Sequence, residues 1–326
     1  MTRTVLWLLA LVAVSTADSE GRKSYSRYKI LSVRASNAAQ VDYLNQLQNE
    51  DISGLSFFQV PSLDRDIDIL VPPVHVNRIK KSLKKQAMKP EVIVEDMQSL
   101  IDEESRAMRS ARNSYDIRNN YLTYNQIVDW LRTVNSSYPT VQLSDIGHSV
   151  ENRSIYKVKV ASNTADTKPA IWIECLSHAR EWITGAVCLG VIDMLTNPEY
   201  EAQRGVMLDK FDWHIAPVVN PDGYIYTHDK DRLWRKNRSK AVRGCQGVDL
   251  NRNWDISFGG AGTSSYSCSD VYHGPGPISE PENQVLNKAV LGTNLFKRFF
   301  RCIAIPNCCF FPMPIADLQH LAILMI

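Results

Sequence analysis

The chain carries almost no net charge. Its 37 lysines and arginines nearly cancel its 35 aspartates and glutamates, leaving a formal +2. So neutral a balance offers no electrostatic case for nucleic acid or for an anionic membrane as partner. A disorder-prone composition is also missing, since 44% of residues are hydrophobic and 22% charged, ordinary values for folded domains. Long apolar runs are scarce. One covers Val5 to Val14, with Arg3 before it and Ser15 and Ala17 after it, ahead of Asp18. It is too short to span a bilayer and reads as a secretory leader over residues 1–17. The other is the tail from Cys302 to Ile326, where Pro306, Pro312, Pro314 and Asp317 argue against a span. The expectation is a secreted, extracellular protein with no membrane partner.

Seven cysteines are present, and three of them (Cys302, Cys308, Cys309) crowd the last 25 residues. Secretion exposes them to an oxidising compartment, and an odd count leaves at least one thiol unpaired or shared with another molecule. Asn135, Asn152 and Asn237 open N-x-S/T triplets, compatible with secretion but common by chance.

The 326 residues can hold two cores of unequal size. Between Tyr28 and Met97 strand-like and helix-like patterns alternate. YKILSVR, LSFFQV, DIDILVP and PEVIVEDM read as strands, AAQVDYLNQLQN and the basic VNRIKKSLKKQ as helices. The order βαββαβ predicts a small ferredoxin-like α+β unit with an antiparallel sheet. An RNA-binding domain can share that order, but the aromatic stacking pattern on its strands is not evident. A polar helical stretch follows, with Arg106, Arg109 and Arg112. It reads as a linker over residues 98–112, open to trypsin-like cleavage after Arg109 or Arg112. From Tyr121 the texture becomes α/β, with YNQIVDWLRTVNSSYP and WITGAVCLGVIDMLT as helices and IYKVKVA, AIWIECL and FDWHIAPVVN as strands around a mixed sheet.

Chemistry-bearing residues gather after AIWIECL. His178 and Glu181 in SHAREWIT can meet one cation from a turn, and zinc accepts both donor types. NPDGY at Asn220–Tyr224 reads as a turn after a strand. LWRKNRS presents Arg235, and DLNRNWD presents Asn251 and Arg252, an amide beside a guanidinium fork suited to a carboxylate.

Together SHAREWIT, VVNPDGY, LWRKNRS, GVDLNRNWD and VYHGPGPISEPE resemble, in order and spacing, the funnel-type zinc metallocarboxypeptidases, relatives of pancreatic carboxypeptidases A and B. The resemblance runs to about residue 300, and the βαββαβ unit is similar to the family's inhibitory propeptide. It implies a zymogen, with residues 18–97 as propeptide and 113–300 as part of an α/β/α carboxypeptidase domain. Zn2+ would be the cofactor, with His178 and Glu181 as ligands. Arg235 would stabilise the oxyanion, Asn251 and Arg252 would hold the substrate's terminal carboxylate, and Arg180 would make a secondary substrate contact. The implied partners are peptide or protein C-termini and a trypsin-like activator, with no nucleic acid. The implied disulfides are Cys175–Cys188 and Cys245–Cys268.

Two departures stand out. Leu176 and Ser177 replace the family's glycine and apolar residue before the first histidine ligand, which is expected to distort that turn. Beyond Phe300 the family's HS motif, closing tyrosine and late glutamate base do not appear, so residues 301–326 read as a divergent tail of a truncated form. With the third ligand and base missing, the expectation is an inactive chain with an exposed sheet edge. The alternative is a non-catalytic, propeptide-like protein that docks on full-length carboxypeptidases.

Overall fold

The structure is a computed structural model that describes residues 21–50, 52–110, 116–162, 168–292 and 296–301, with side chains omitted at 110 and 296–301. The proposed leader, Arg112 and the tail beyond Arg301 lie outside the described residues.

The first unit runs β1 (Lys29–Arg34), α1 (Ala38–Gln48), β2 (Ser56–Phe57), β3 (Asp66–Val71), α2 (Val76–Lys85) and β4 (Glu91–Val94). The βαββαβ order expected from the sequence is present, as an antiparallel sheet in the order β2-β3-β1-β4. Alternation in β1 buries Leu31 and Val33, and the helices add Leu44, Leu47, Ile79 and Leu83 to one core. Asn37 caps α1 by accepting from the Gln40 amide. LSFFQV forms only a two-residue strand, because Phe58 onward turns away to bond Asp68 by backbone and Gln59 by side chain.

The helix α3 (Met97–Ser110) leads to the second unit. There α4 (Tyr124–Ser137) starts at a Thr123–Gln126 capping box and buries Ile127, Leu131 and Val134 at helical spacing. The strands β5 (Val141–His148), β6 (Ser154–Val160), β7 (Ala170–Glu174), β8 (Asp212–Ala216) and β9 (Phe296–Arg301) form a mixed sheet, order β5-β6-β8-β7-β9. β7 is buried throughout and parallel to both neighbours, as expected of a central strand covered on both faces. The helices α5 (Trp182–Thr196), α6 (Glu201–Lys210), α7 (Pro221–Asp229) and α8 (Pro281–Leu291) complete the described fold. α5 has no polar face to speak of and is buried along most of its length. No helix among the described residues is long and apolar enough to cross a membrane.

Because β7 and β8 run parallel, the loops leaving their carboxyl ends emerge side by side, where α/β sheets place ligands. These loops remain zipped beyond the strands. The Cys175 amide donates to Ala216 at 3.0 Å, and the Val219 and Asn220 amides donate to Cys175 and Leu176 at 3.1 Å.

Candidate metal and substrate site

The loop after β7 carries His178, Arg180 and Glu181. All three are buried, with His178 2% exposed. Nδ1 of His178 faces Glu181 Oε1 at 2.9 Å, while its Nε2 meets Asp249 Oδ1 at 3.0 Å. Asp249, fully buried, also accepts from Arg235 Nη2 at 2.9 Å and from the Asn251 amide at 2.9 Å. Burial alone would raise the Asp249 pKa. Arg235 and His178 outweigh it and hold the carboxyl well below the usual carboxylate range. Arg235 in turn stays cationic, since Asp249 and Glu181 more than offset the opposing effect of its burial. Its Nη1 lies 3.7 Å from Glu181 Oε1. One buried carboxylate thus ties together the imidazole, the guanidinium and the start of the 3-10 turn Leu250–Arg252.

His178 and Glu181 are donor types that zinc accepts, and Asp249 fixes the far ring nitrogen as outer carboxylates do for ligating histidines. The residues present therefore fit two of the ligand positions of a single metal ion. Among the described residues no group of three or more His, Cys, Asp or Glu side chains gathers to hold a metal. His214 lies against Trp172 and His228 against Trp182.

Leu176 does not break the turn. It takes φ +55°, the left-handed conformation a glycine would adopt freely, and its side chain is fully buried. Room for it comes from Gly185 on α5, where an added Cβ would sit 2.7 Å from Leu176 Cδ1. The amide of Leu176 donates to Thr184 Oγ1 at 3.1 Å, and the Cys175–Cys188 disulfide ties the same loop to α5.

NPDGY is not an isolated turn but the first turn of α7. Asn220 caps it, accepting from the Gly223 amide at 2.9 Å, and Pro221 occupies the first helical position. The Asn220 amide group also donates to the Ser177 and Lys236 carbonyls at 3.3 and 3.1 Å, joining the His178 loop to the Arg235 segment. A Cβ at Gly223 would lie 2.7 Å from that Lys236 carbonyl, so only glycine fits. Neither Asn220 nor Asp249 was singled out from sequence, although both stand inside the quoted motifs.

Asn251 and Arg252 are half-buried at the far side of Asp249, with Arg252 Nε donating to Gly262 O at 2.9 Å. Arg180 is covered by the first unit. Its Nη1 donates to Ser56 Oγ at 2.9 Å, its Nη2 to Phe57 O at 3.1 Å, and its guanidinium lies over the Phe58 ring. A cavity of about 410 Å³ remains beside it, lined by Leu55, Phe57, Arg180, Trp234, Arg235 and Asp270. Further contacts hold the first unit in place. Tyr25 Oη donates to Asp231 at 2.5 Å, and Arg232 forks onto Glu104 of α3 at 2.5 and 2.8 Å while stacking on Trp182. Cys245 and Cys268 are joined in a second disulfide. Arg109 is exposed in the last turn of α3. Asn135 and Asn152 are exposed, whereas Asn237 is fully buried and donates to Glu280 and Glu282, so the folded chain presents no glycan acceptor there.

The zinc carboxypeptidase family matches residues 127–312, and the carboxypeptidase activation peptide matches residues 31–104. Mouse carboxypeptidase A4 is 36% identical over 287 residues, covering 85% of this chain and 68% of the relative. Bovine carboxypeptidase A1 is 34% identical over 304 residues, covering 89% and 71%. The solved carboxypeptidase A of Helicoverpa armigera superposes with a TM-score of 0.78 at 27% identity, covering 86% of this chain and 70% of its own. The chain belongs to the zinc carboxypeptidase family, as a metallocarboxypeptidase with its activation peptide attached.

Proposed function

We propose that this chain is a secreted zinc carboxypeptidase zymogen, built to cleave the C-terminal peptide bond of peptides and proteins. The observation that carries the reading is the His178 ring held between Glu181 and Asp249, with Arg235 on the same carboxylate. His178 and Glu181 are two of the metal's protein donors. Zinc bound there would polarise the scissile carbonyl and lower the pKa of a bound water. Asp249 fixes the ring orientation, and Arg235 keeps its charge where an oxyanion would develop. Asn251 and Arg252 take the terminal carboxylate, and Arg180 makes a secondary substrate contact.

The first unit keeps the enzyme off by occupying Arg180 with Ser56 and Phe57, so substrate cannot use that contact until the unit leaves. A trypsin-like protease cutting after Arg109 or Arg112 would start its release. In this reading residues 1–17 are the leader, 18–97 the propeptide, 98–112 the activation linker, 113–300 the catalytic part and 301–326 a divergent tail.

Catalytic zinc sites use three protein ligands, of which His178 and Glu181 would be two. We propose further that a site filled by His178 and Glu181 alone would hold zinc weakly and support no catalysis. The complete core of the first unit, with Leu31, Ile67 and Ile69 fully buried, favours a second role as an inhibitor docking on a complete carboxypeptidase. One experiment separates the two. The trypsin-treated chain is incubated with zinc and a blocked dipeptide, alone and with a complete carboxypeptidase present. Inhibition without intrinsic hydrolysis supports the inert, docking form. Hydrolysis by the chain alone, abolished in H178A, would overturn inertness and leave a working enzyme.

A further inference from the structure

The helix α2 carries a charge pattern that the carboxypeptidase reading does not use. Between Pro72 and Pro90 the sequence holds Arg78, Lys80, Lys81, Lys84, Lys85 and Lys89 and not one aspartate or glutamate. The apolar side of α2 is spent on the core of the first unit, where Val76, Ile79 and Leu83 are buried. That fixes the opposite side outward. Lys81, Lys84 and Lys85 are exposed, Lys80 is half-exposed, and the four line a shallow depression with Asn77. Arg78 turns aside to Glu50 at 3.0 Å, whereas none of these four lysines makes an ion pair among the described residues.

The arrangement is self-repelling. Lys80 with Lys84, and Lys81 with Lys85, stand four residues apart, one above the other, and like charges at that spacing destabilise a helix. Lys84 and Lys85 sit in the last turn, where the helix dipole favours cations. Lys80 and Lys81 are mid-helix and gain nothing from it. We propose that this face binds a linear sulfated polysaccharide, and so gives the zymogen a polyanion-docking surface on the part that activation removes. Two rows of ammonium groups, each repeating at about 6 Å along the axis, match a chain that presents sulfates at short, regular intervals. A membrane is a poorer fit, because an interfacial helix needs an apolar face to insert and α2 has buried its own. Single-stranded nucleic acid is poorer too, since no aromatic side chain interrupts the lysines as a stacking platform.

The test uses the full chain on immobilised heparin at 0.15 M salt, a screening condition of about 8 Å that passing surface charges do not survive. K80Q/K81Q/K84Q/K85Q is compared with K210Q/K230Q/K240Q/K288Q, which lowers the net charge of +2 equally but elsewhere. Glutamine preserves helix propensity, and circular dichroism checks that both variants fold. Retention of wild type and control, with at least a tenfold loss of affinity in the α2 variant and no retention on desulfated heparin, is the expected result. Co-elution of the α2 variant with wild type would overturn the proposal, as would equal loss in the control. So would binding to phosphatidylserine vesicles or single-stranded DNA as tight as to heparin.

Discussion

At the scale of single residues, the candidate site depends on side chains that hold others in place. The Asp249 carboxylate contacts the His178 ring, the Arg235 guanidinium and the Asn251 amide at once. Replacing it with asparagine removes a buried charge that Arg235 needs, so D249N should lose about 3–5 kcal/mol of stability in urea unfolding. Where it still folds, zinc affinity should fall about 10–100-fold, because the ring orientation is no longer fixed. Leu176 and Gly185 form a second dependent pair. A glycine inside a helix normally gains from replacement by alanine, by about 1 kcal/mol. Here the added methyl would strike Leu176, so G185A should cost about 1–3 kcal/mol instead. In an L176G background the same methyl enters the space left behind, and G185A should become neutral or stabilising. A double-mutant cycle with a coupling of about 1–2 kcal/mol is the expected outcome. Additive costs would mean that the loop relaxes independently of α5.

At the scale of elements, the first unit is fastened at its start, its middle and its linker helix. Tyr25 reaches Asp231, β2 covers Arg180, and Glu104 of α3 grips Arg232. E104Q replaces a forked ion pair by a single neutral acceptor, so after trypsin cleavage the propeptide should dissociate faster. Size-exclusion chromatography of the cleaved material gives the readout, and unchanged co-elution would assign the hold to the Tyr25 and Phe57 contacts. The elements were legible wherever periodicity was strong. The strands and helices of the βαββαβ unit, α4 and β6 follow from apolar spacing, whereas α5 and β7 show as continuous apolar runs. β5 was missed because only Val141 is buried while its remaining residues are half-buried or exposed. α7 was hidden by Pro221 and Gly223, which signal a turn unless Asn220 is seen as the cap before a proline at the first helical position. SHAREWIT places the proposed donors His178 and Glu181 side by side in the sequence, but the contacts of Asp249 and Asn220 are not readable there. Their partners are 71 and 43 residues away in sequence, and only the parallel pairing of β7 and β8 brings the supporting loops together.

At the scale of the whole molecule, stability should respond to pH through groups the fold has buried. Burial pushes the Glu282 carboxyl up from an ordinary 4.5 to about 7, against hydrogen bonds from Val150 and Asn237 that pull it down. The folded chain therefore binds this proton more tightly than the unfolded one. The stabilising contribution is complete below about 4.5 and is lost as pH rises through 7. E282Q, which mimics the protonated form, should match wild type near pH 5 and exceed it at pH 8, by at most about 3 kcal/mol. His228 acts in the opposite window. Burial, with Arg232 close by, lowers its pKa to about 3. Its contribution is present above about 6.5 and is lost as pH falls through 3.

The most direct test of the central claim is zinc binding by the intact chain, measured by competition with a chromophoric chelator at pH 7.5. Wild type should take up one zinc ion with saturable, weak affinity. H178A and E181A should each abolish it, and D249N should weaken it without altering the stoichiometry. Absence of zinc uptake, or uptake that survives H178A and E181A together, would contradict the assignment of this buried cluster as the metal site.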